Sequence, residues 1–194
     1  ANGKTVWVTG SEGFVGSVMM RGLEIGGYRA IGTDAELSVC EPERLEAFAE
    51  EVRPDFIVNC AGLRRDAATI GNKVHAYEVN ALGARNVALV ANTVGATMVQ
   101  ISTDDVYGRA QAGEPVNEFD QPYPDTPYGK SKHAGETMIR NTTPDHLILR
   151  SSWLYEADRG RMKALLDAAA DGGTYESRTD QFAAPTSVLM YMRY

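Results

Sequence analysis

A glycine motif near the N-terminus constrains the fold of this chain more than any other feature. The β-branched run at 5–9 predicts a buried strand, and Gly10, Gly13 and Gly16 follow it in the pattern G-x-x-G-x-x-G. A helical pattern then continues to about residue 25. Glycines between a strand and a helix allow a tight turn, close approach to a pyrophosphate, and free amides at the helix N-terminus. The motif therefore favours dinucleotide binding over a plain glycine-rich turn.

An acidic residue ends the second predicted strand. Asp34 closes the run at 29–34, 18 residues after Gly16. A carboxylate at this point can bind the adenosine ribose hydroxyls and would repel a 2′-phosphate. Asp34 therefore favours NAD over NADP, although Arg29 could offset the repulsion. The alternative is an aspartate that only caps the strand end.

Strand and helix patterns alternate along the rest of the chain. Further strands are predicted at 55–62, 97–102 and 146–150. Helices are predicted at 42–52, 74–94, 128–140 and 161–170, with a loop at 179–186 before a final helix that has barely begun. This alternation predicts an α/β fold with a doubly wound parallel sheet and right-handed crossovers.

Small and basic residues follow the third predicted strand. Cys60, Ala61 and Gly62 leave room for a cofactor across the strand tips, where open parallel sheets bind ligands. Arg64 and Arg65 come next in a predicted loop and could grip a diphosphate. A solvated charge cluster is an equal alternative for the two arginines.

Polar residues also occupy positions where the helix and strand patterns predict apolar or neutral residues. Asn80 interrupts an apolar stretch of the helix at 74–94, so we expect it to be a buried hydrogen-bonding residue. Ser102, Thr103, Asp104 and Asp105 lie at the end of the fourth strand, a position suited to chemistry. The alternative for the aspartates is a turn that uses them for its shape.

Tyr128 and Lys132 are four residues apart at the start of a predicted helix. Residues at this spacing lie on one face, one turn apart. A free phenol has a pKa near ~10, and a neighbouring ammonium brings that pKa toward neutrality. The pair would suit a proton-transferring tyrosine, but alone it is more often part of a solvated helix face, so the motifs upstream decide between the two.

Composition excludes several other classes of function. The net charge of −7 over 194 residues argues against a nucleic-acid-binding surface. No apolar run approaches the roughly 18 residues that span a bilayer, and no signal-peptide pattern is present. Cys60 lies in an apolar run and is expected to be a free thiol, and the histidines and cysteines form no metal-ligand spacing. We therefore expect a cytoplasmic protein with no metal and no membrane contact.

Taken together, these motifs resemble the extended short-chain dehydrogenase/reductase family along nearly the whole chain. Segments 150–155 and 179–186 are most similar to those of dTDP-4-dehydrorhamnose reductases. The resemblance implies a Rossmann-type sheet, NAD or NADP, and reduction of the 4-keto group of a deoxy sugar nucleotide. It implies that Tyr128 protonates the ketone oxygen and that Thr103 hydrogen-bonds the same oxygen. Lys132 would lower the pKa of Tyr128 and bind the nicotinamide ribose.

The same resemblance assigns the site residues by role. Thr103, Tyr128 and Lys132 would be catalytic. The substrate contacts would be Asp104, Asp105, Trp153 and Gln181, with core packing as the alternative for Trp153. The cofactor contacts would be Gly10, Glu12, Gly13, Phe14, Val15, Gly16, Asp34, Cys60, Ala61, Gly62, Asn80, Ser102, Tyr128 and Lys132. A homodimer through a self-paired helical face is expected by analogy.

Three departures from the reductases keep other functions open. Asp105 stands where they usually carry tyrosine, which is closer to the Thr-Asp-Glu of nucleotide-sugar 4,6-dehydratases. The loop at 63–67 is more similar to that of a regulatory subunit of methionine adenosyltransferase. The chain also stops at Tyr194, so we expect a substrate lobe that begins near residue 151 and is short or missing. The alternatives are therefore a dehydratase or epimerase with tightly bound NAD, and a dinucleotide-binding regulatory subunit.

Overall fold

The structure is a computed structural model that describes residues 3–68, 70–108, 115–156, 159–176 and 184–191. The five strands of its main sheet are β1 (Thr5–Thr9), β2 (Arg29–Thr33), β3 (Phe56–Asn59), β4 (Thr97–Thr103) and β5 (His146–Ser151). The longer helices are α1 (Phe14–Ile25), α2 (Pro42–Val52), α4 (Ala84–Val94), α5 (Pro127–Thr142) and α6 (Gly160–Ala170). Shorter elements are α3 (Lys73–Tyr77), the two-residue strands β6 (Leu154–Tyr155) and β7 (Thr186–Ser187), and α7 (Val188–Tyr191).

Within the described residues, the main sheet is parallel throughout and has the order β2-β1-β3-β4-β5. The chain leaves β1 toward one edge and returns to β3 on the other side, so the point at which the order reverses lies between β1 and β3. The predicted doubly wound α/β fold is confirmed. In such a sheet ligands bind beyond the carboxyl ends of the strands at this reversal.

Two apolar layers cover the two faces of the sheet. On one face, Trp7, Ile57 and Met98 pack with Leu45 of α2 and Ile139 of α5. On the other face a second cluster brings strand residues together with Met19 of α1 and Tyr191 of α7. Alternate residues of one strand serve opposite faces, which is why these buried strands are apolar along most of their length. Full burial of each large apolar side chain contributes about 1.5–3 kcal/mol.

The predicted helix at 74–94 is continuous but changes its pitch. It begins as α3, passes through a π-helical segment at Glu78–Gly83, and continues as α4. Asn80 lies in the π-helical segment and is 2% exposed. The prediction that Asn80 is buried and hydrogen-bonded is confirmed. A π-helical turn widens the helix locally and often marks a functional site.

The end of β3 differs from its prediction. The strand ends at Asn59, whereas the apolar pattern predicted extended structure through Gly62. The Cys60 amide still donates to the Thr9 carbonyl at 3.1 Å, but the Leu63 amide donates to the Asn80 side chain at 2.7 Å. The chain leaves the sheet after Asn59 because the Asn80 side chain, rather than the neighbouring strand, becomes its hydrogen-bond partner.

Helix α5 begins with a cap that the sequence pattern did not include. The Thr126 hydroxyl accepts a hydrogen bond from the Gly129 amide at 3.0 Å, and Pro127 occupies the first turn. The helix also lies unusually close to its neighbours. A Cβ on Gly129 would collide with the Asp105 carbonyl oxygen, and one on Gly135 would collide with that of Asn80. These glycines let α5 touch both the segment after β4 and the π-helical segment.

Among the described residues, no helix combines the length and apolar character needed to cross a bilayer.

Candidate active site

An open cleft of about 1690 Å³ lies along the carboxyl ends of the strands. Most of the residues that the sequence assigned to the site line it. They are Gly13, Phe14, Val15, Cys60, Gly62, Ser102, Thr103, Asp104, Asp105, Tyr128, Lys132 and Trp153. Gly10, Glu12, Gly16, Asp34, Ala61 and Asn80 are not in the lining.

The glycine motif forms the turn between β1 and α1. Gly10 adopts a φ of +65°, a conformation that L side chains rarely adopt. A Cβ on Gly16 would collide with the carbonyl oxygen of Gly10, so the helix can pack on the turn only with glycine there. Gly13 is the N-cap of α1, with no side-chain cap and no acidic residue in the first turn. The helix N-terminus thus presents its positive end to the cleft without a carboxylate of its own.

The Asp34 side chain is hydrogen-bonded to this turn. Its carboxylate accepts a hydrogen bond from the Glu12 amide at 2.9 Å. The Asp34 amide in turn donates to the Glu36 carboxylate at 2.8 Å, and this bond helps to lower the pKa of Glu36. Two carboxylates therefore lie next to each other beyond β2. The nearby Arg44 is bonded to Glu41 and to the Glu36 carbonyl.

Asn80 connects the cleft wall to the helix of Tyr128. Its side-chain oxygen accepts from the Leu63 amide at 2.7 Å, while its amide nitrogen donates to the Leu63 carbonyl at 3.1 Å. The same nitrogen donates to the Ser131 hydroxyl at 2.9 Å. A side chain that bonds both backbone groups of one residue fixes the two peptide units beside that residue, so Asn80 holds the loop after β3 against α5.

The Tyr128 phenol and the Thr103 hydroxyl lie near each other in the cleft. The pKa of Tyr128 is raised to about 12, mainly by burial and also by the Asp105 and Asp104 carboxylates. The nearby Thr103 hydroxyl and the charge of Arg65 oppose this rise without cancelling it. The prediction that Lys132 brings this pKa toward neutrality is therefore wrong in direction, because burial and two acidic neighbours outweigh any cation in reach. The phenol is fully protonated at neutral pH.

Lys132 is buried, and its ammonium points to the sheet. Nζ donates to the Ile101 carbonyl at 2.7 Å. Burial lowers the pKa of Lys132 to about 8, opposed by the charges of Glu136 and Cys60. Burial raises the pKa of the Cys60 thiol to about 12, which leaves the thiol neutral.

A chain of buried hydrogen bonds across three strands leads to the same carbonyl group. Thr9 donates to Asn59 at 2.6 Å, and Asn59 donates to Gln100 at 2.8 Å. Gln100 then donates to the Ile101 carbonyl at 2.7 Å. The carbonyl that holds Lys132 is thus fixed by side chains of β1, β3 and β4.

The two arginines of the loop after β3 have acidic partners. Arg64 pairs with Asp66 at 2.7 Å on the surface, and Arg65 lies 3.4 Å from the Asp105 carboxylate. Arg65 and Asp105 both line the cleft, so their ion pair forms part of its wall beside Tyr128. The two positions at which the sequence departs from the reductase pattern therefore meet in space.

Trp153 lies in the cleft wall just after β5. It is 39% exposed, and the Arg161 guanidinium stacks 4.7 Å from the centre of its ring. The alternative of core packing for Trp153 is therefore wrong. Gln181, which the sequence paired with Trp153 as a substrate contact, lies outside the described residues.

Sequence reasoning missed a set of charged residues behind the cleft. Glu136 is fully buried one turn beyond Lys132, and Arg150 of β5 bonds it. Two features of the sequence could have indicated this set. Glu136 continues the four-residue spacing of Tyr128 and Lys132, and Arg150 is an arginine within an apolar strand. The described residues contain no cluster of side chains suited to a metal ion.

The chain resembles known proteins over most of its length. It is 33% identical over 183 residues to the spore coat polysaccharide biosynthesis protein SpsK of Bacillus subtilis, covering 93% of this chain and 64% of the relative. It is 31% identical over 183 residues to the dTDP-4-dehydrorhamnose reductase of Burkholderia thailandensis, covering 93% of this chain and 61% of the relative. The chain thus spans less than two thirds of the length of these curated relatives.

Solved structures give the same result. The dTDP-4-dehydrorhamnose reductase of Bacillus anthracis, solved with NADP, superposes with a TM-score of 0.88 at 32% identity, over all of this chain and 69% of that one. The reductase of Clostridium acetobutylicum superposes with a TM-score of 0.87 at 30% identity, over 97% of this chain and 68% of that one. The family model described as the RmlD substrate binding domain matches residues 4–192, so the chain belongs to the RmlD substrate-binding-domain family.

Proposed function

We propose that this protein reduces the 4-keto group of a deoxy sugar nucleotide with NADH or NADPH, as a dTDP-4-dehydrorhamnose reductase does. The observation that carries the proposal is the meeting of the Thr103 hydroxyl and the Tyr128 phenol in a cleft at the strand tips. A protonated phenol beside a second hydroxyl group is what a ketone oxygen needs as it gains a proton. The named relatives with this arrangement of elements support the choice of substrate.

In this mechanism the chain's own residues orient and protonate the ketone. Thr103 and Tyr128 hydrogen-bond its oxygen, and Tyr128 transfers its proton to that oxygen as the alcohol forms. Lys132, held by the Ile101 carbonyl, would bind the cofactor ribose and stabilise the phenolate that remains. When bound, the nicotinamide supplies the hydride to the carbonyl carbon.

The uncapped N-terminus of α1 fits the cofactor's diphosphate. Gly13 is exposed, and a Cβ there would approach only the Gly10 carbonyl, so a phosphate group can reach the backbone amides closely. This placement supports the predicted contacts by Gly10, Glu12, Phe14, Val15 and Gly16. Asn80 and Ser102 act on the nicotinamide side, and Cys60, Ala61 and Gly62 leave space between the two ends.

We further propose that NADH is preferred. Asp34 and the adjacent Glu36 are two carboxylates beyond β2, and together they would repel a 2′-phosphate bound beside them. The pKa of Glu36 is below its usual value because the Asp34 amide bonds it, so it is ionised at neutral pH. Among the described residues, Arg44 is the only basic residue that forms a hydrogen bond with Asp34 or Glu36. It bonds the backbone carbonyl of Glu36 and does not reach the space beyond the two carboxylates.

Replacing Asp34 with Asn is expected to lower the preference for NADH over NADPH by about tenfold, because one of two repelling charges is removed. Asn retains an oxygen that can accept the Glu12 amide. The ratio of dissociation constants for the two dinucleotides, measured by fluorescence titration, checks this. Glu50→Gln is the matched control, since this exposed carboxylate on α2 lies away from the cleft. An unchanged ratio of dissociation constants in the Asp34 variant would show that Asp34 does not determine the choice between NADH and NADPH.

On the substrate side, Asp104, Asp105 and Trp153 line the cleft beside Tyr128, which supports contacts to the sugar nucleotide. Gln181 belongs to the same proposal, and residues from about 151 would begin the substrate-binding region. We expect a cytoplasmic enzyme that works without nucleic acid or membrane and pairs as a homodimer.

The test of the proposal is loss of NADH or NADPH absorbance with dTDP-4-dehydrorhamnose as the substrate. Consumption that requires both the protein and the keto sugar would support the reductase. A cofactor that binds without being consumed would contradict it. In that case NAD that co-purifies with the protein would favour the dehydratase or epimerase, for which Asp104 and Asp105 would be the acids. Absence of co-purified NAD would favour the regulatory subunit.

A further inference from the structure

A fully buried carboxylate lies behind the catalytic residues. The Glu136 side chain has no exposed surface, and four residues surround it with five hydrogen bonds or ion pairs. Ser102 donates to its Oε1 at 2.6 Å, and Arg150 donates to both oxygens at 3.0 and 2.6 Å. Arg140 and His133 approach from the outer side at 3.4 and 3.8 Å. A buried charge with this many partners is fixed in position.

Arg150 extends this cluster to the segment that carries Asp104 and Asp105. Its Nη1 donates to the Tyr107 hydroxyl at 2.5 Å, and the guanidinium lies 4.8 Å from the centre of the Tyr107 ring. The Tyr107 hydroxyl then donates to the Asn117 carbonyl at 2.8 Å. One connected set of side chains therefore joins α5 to β4, β5 and the helical turn at Asp104–Tyr107.

Lys132 and Glu136 form hydrogen bonds with adjacent residues of the same strand, β4. Lys132 bonds the Ile101 carbonyl and Glu136 bonds the Ser102 hydroxyl, from one face of α5 at a spacing of four residues. Around Lys132, the groups that can carry a negative charge are Tyr128 and Glu136, one turn away on either side along α5, and Cys60 beyond β3, within the described part of the chain. The Cys60 thiol and the Tyr128 phenol are neutral at physiological pH, so Glu136 is the anion among these groups.

We propose that Glu136 is a positioning residue that keeps Lys132 in its ammonium form and is itself held in place by Arg150 and Ser102. An ammonium without a counter-charge is unfavourable in a buried site and would lose its proton. The role assigned to Lys132 in catalysis rests on the proposed reductase function, but its protonation state does not. Glu136 touches neither cofactor nor substrate in this scheme and acts only through Lys132.

The ionisation of both groups agrees with this arrangement. Burial alone would raise the pKa of Glu136, but the bonds from Arg150 and Ser102 outweigh it and hold the pKa below its usual value. Glu136 is therefore charged at neutral pH. Its charge opposes the effect of burial on Lys132, whose pKa of about 8 leaves most of the ammonium protonated at pH 7.

The experiment measures Lys132 directly. Lysines labelled with carbon-13 at Cε are titrated by NMR, and the Lys132 signal is assigned by its loss in Lys132→Met. We expect the pKa of Lys132 to fall by about one unit or more in Glu136→Gln, because the counter-charge is removed while Arg150 remains. Glu136→Asp keeps the charge on a shorter side chain and should restore most of the wild-type pKa. Asp167→Asn removes the carboxylate of the exposed Lys163–Asp167 pair and should leave Lys132 unchanged.

An unchanged Lys132 pKa in folded Glu136→Gln would overturn the proposal, as would equal shifts in the Gln and Asp variants. If Glu136→Gln does not fold, Glu136→Gln with Arg150→Met removes both charges of the pair and should lower the Lys132 pKa by a smaller amount, because a cation is lost with the anion; a pKa that does not fall there at all would also overturn the proposal. In an active enzyme the alkaline limb of the kcat profile should move to lower pH with Glu136→Gln. The NMR titration needs no substrate, so it stands even where the wild-type protein shows no reductase activity.

Discussion

Replacing Tyr128 with Phe is expected to lower kcat by at least about a hundredfold while leaving dinucleotide binding intact. Proton transfer from a positioned side chain contributes roughly 10²–10⁴ in rate, and Phe keeps the ring while removing the proton. The raised pKa of Tyr128 strengthens this expectation, because a phenol with a pKa of about 12 starts each reduction protonated. Thr103 remains in the variant and can still bind the ketone, so KM should change much less than kcat.

The measurement is single-turnover oxidation of NADH in the presence of dTDP-4-dehydrorhamnose. Tyr123→Phe is the matched control, since Tyr123 lies shortly before α5 with 75% of its surface exposed and does not line the cleft. Its rate should equal that of the wild type. Turnover by Tyr128→Phe within severalfold of the wild type would mean that another group donates the proton.

The parts of the fold that the sequence predicted well are those set by local periodicity. Helix α2 occupies the predicted range, because its apolar residues recur at helical spacing against a polar background. The glycine motif predicted the turn at β1, since few other sequences permit a strand and a helix to pack so closely. Asn80 was identified as buried because an asparagine among apolar helix residues needs a partner.

The parts that sequence reasoning could not supply depend on distances between elements. The pKa of Tyr128 is set by burial and by Asp105, which is near in space but 23 positions away in the chain. Glu136 is joined to Ser102 and Arg150 across 34 and 14 positions. Glu36 was missed because its effect comes from a hydrogen bond to the Asp34 amide, which a pattern of residue types does not reveal.

Replacing Arg150 with Met is expected to destabilise the fold by about 3–5 kcal/mol at neutral pH, because it leaves the Glu136 charge buried without its main partner. Both side chains are largely enclosed, with Arg150 13% exposed and Glu136 fully buried, so solvent screening is weak. Met retains most of the volume of the arginine stem, so loss of packing contributes less than loss of the charge pair. The free energy of unfolding in urea, measured at pH 7.5, gives the magnitude. Arg140→Met is the control, since Arg140 meets the same oxygen at 3.4 Å but is 45% exposed and should cost under about 1 kcal/mol.

The pH dependence distinguishes a lost charge pair from a packing defect in Arg150→Met. In the wild type the folded pKa of Glu136 is depressed, so its contribution is present above the unfolded pKa near ~4.3 and is lost as pH falls through the folded pKa. In the variant, burial raises the pKa of Glu136, so the carboxyl takes up a proton on mild acidification and no longer carries an unpaired charge. The difference in unfolding free energy between wild type and variant should therefore shrink from pH 7.5 to pH 5. If the difference in unfolding free energy stays constant from pH 7.5 to pH 5, the variant has a packing defect. The ion pair with Glu136 would then not explain why β5 contains Arg150.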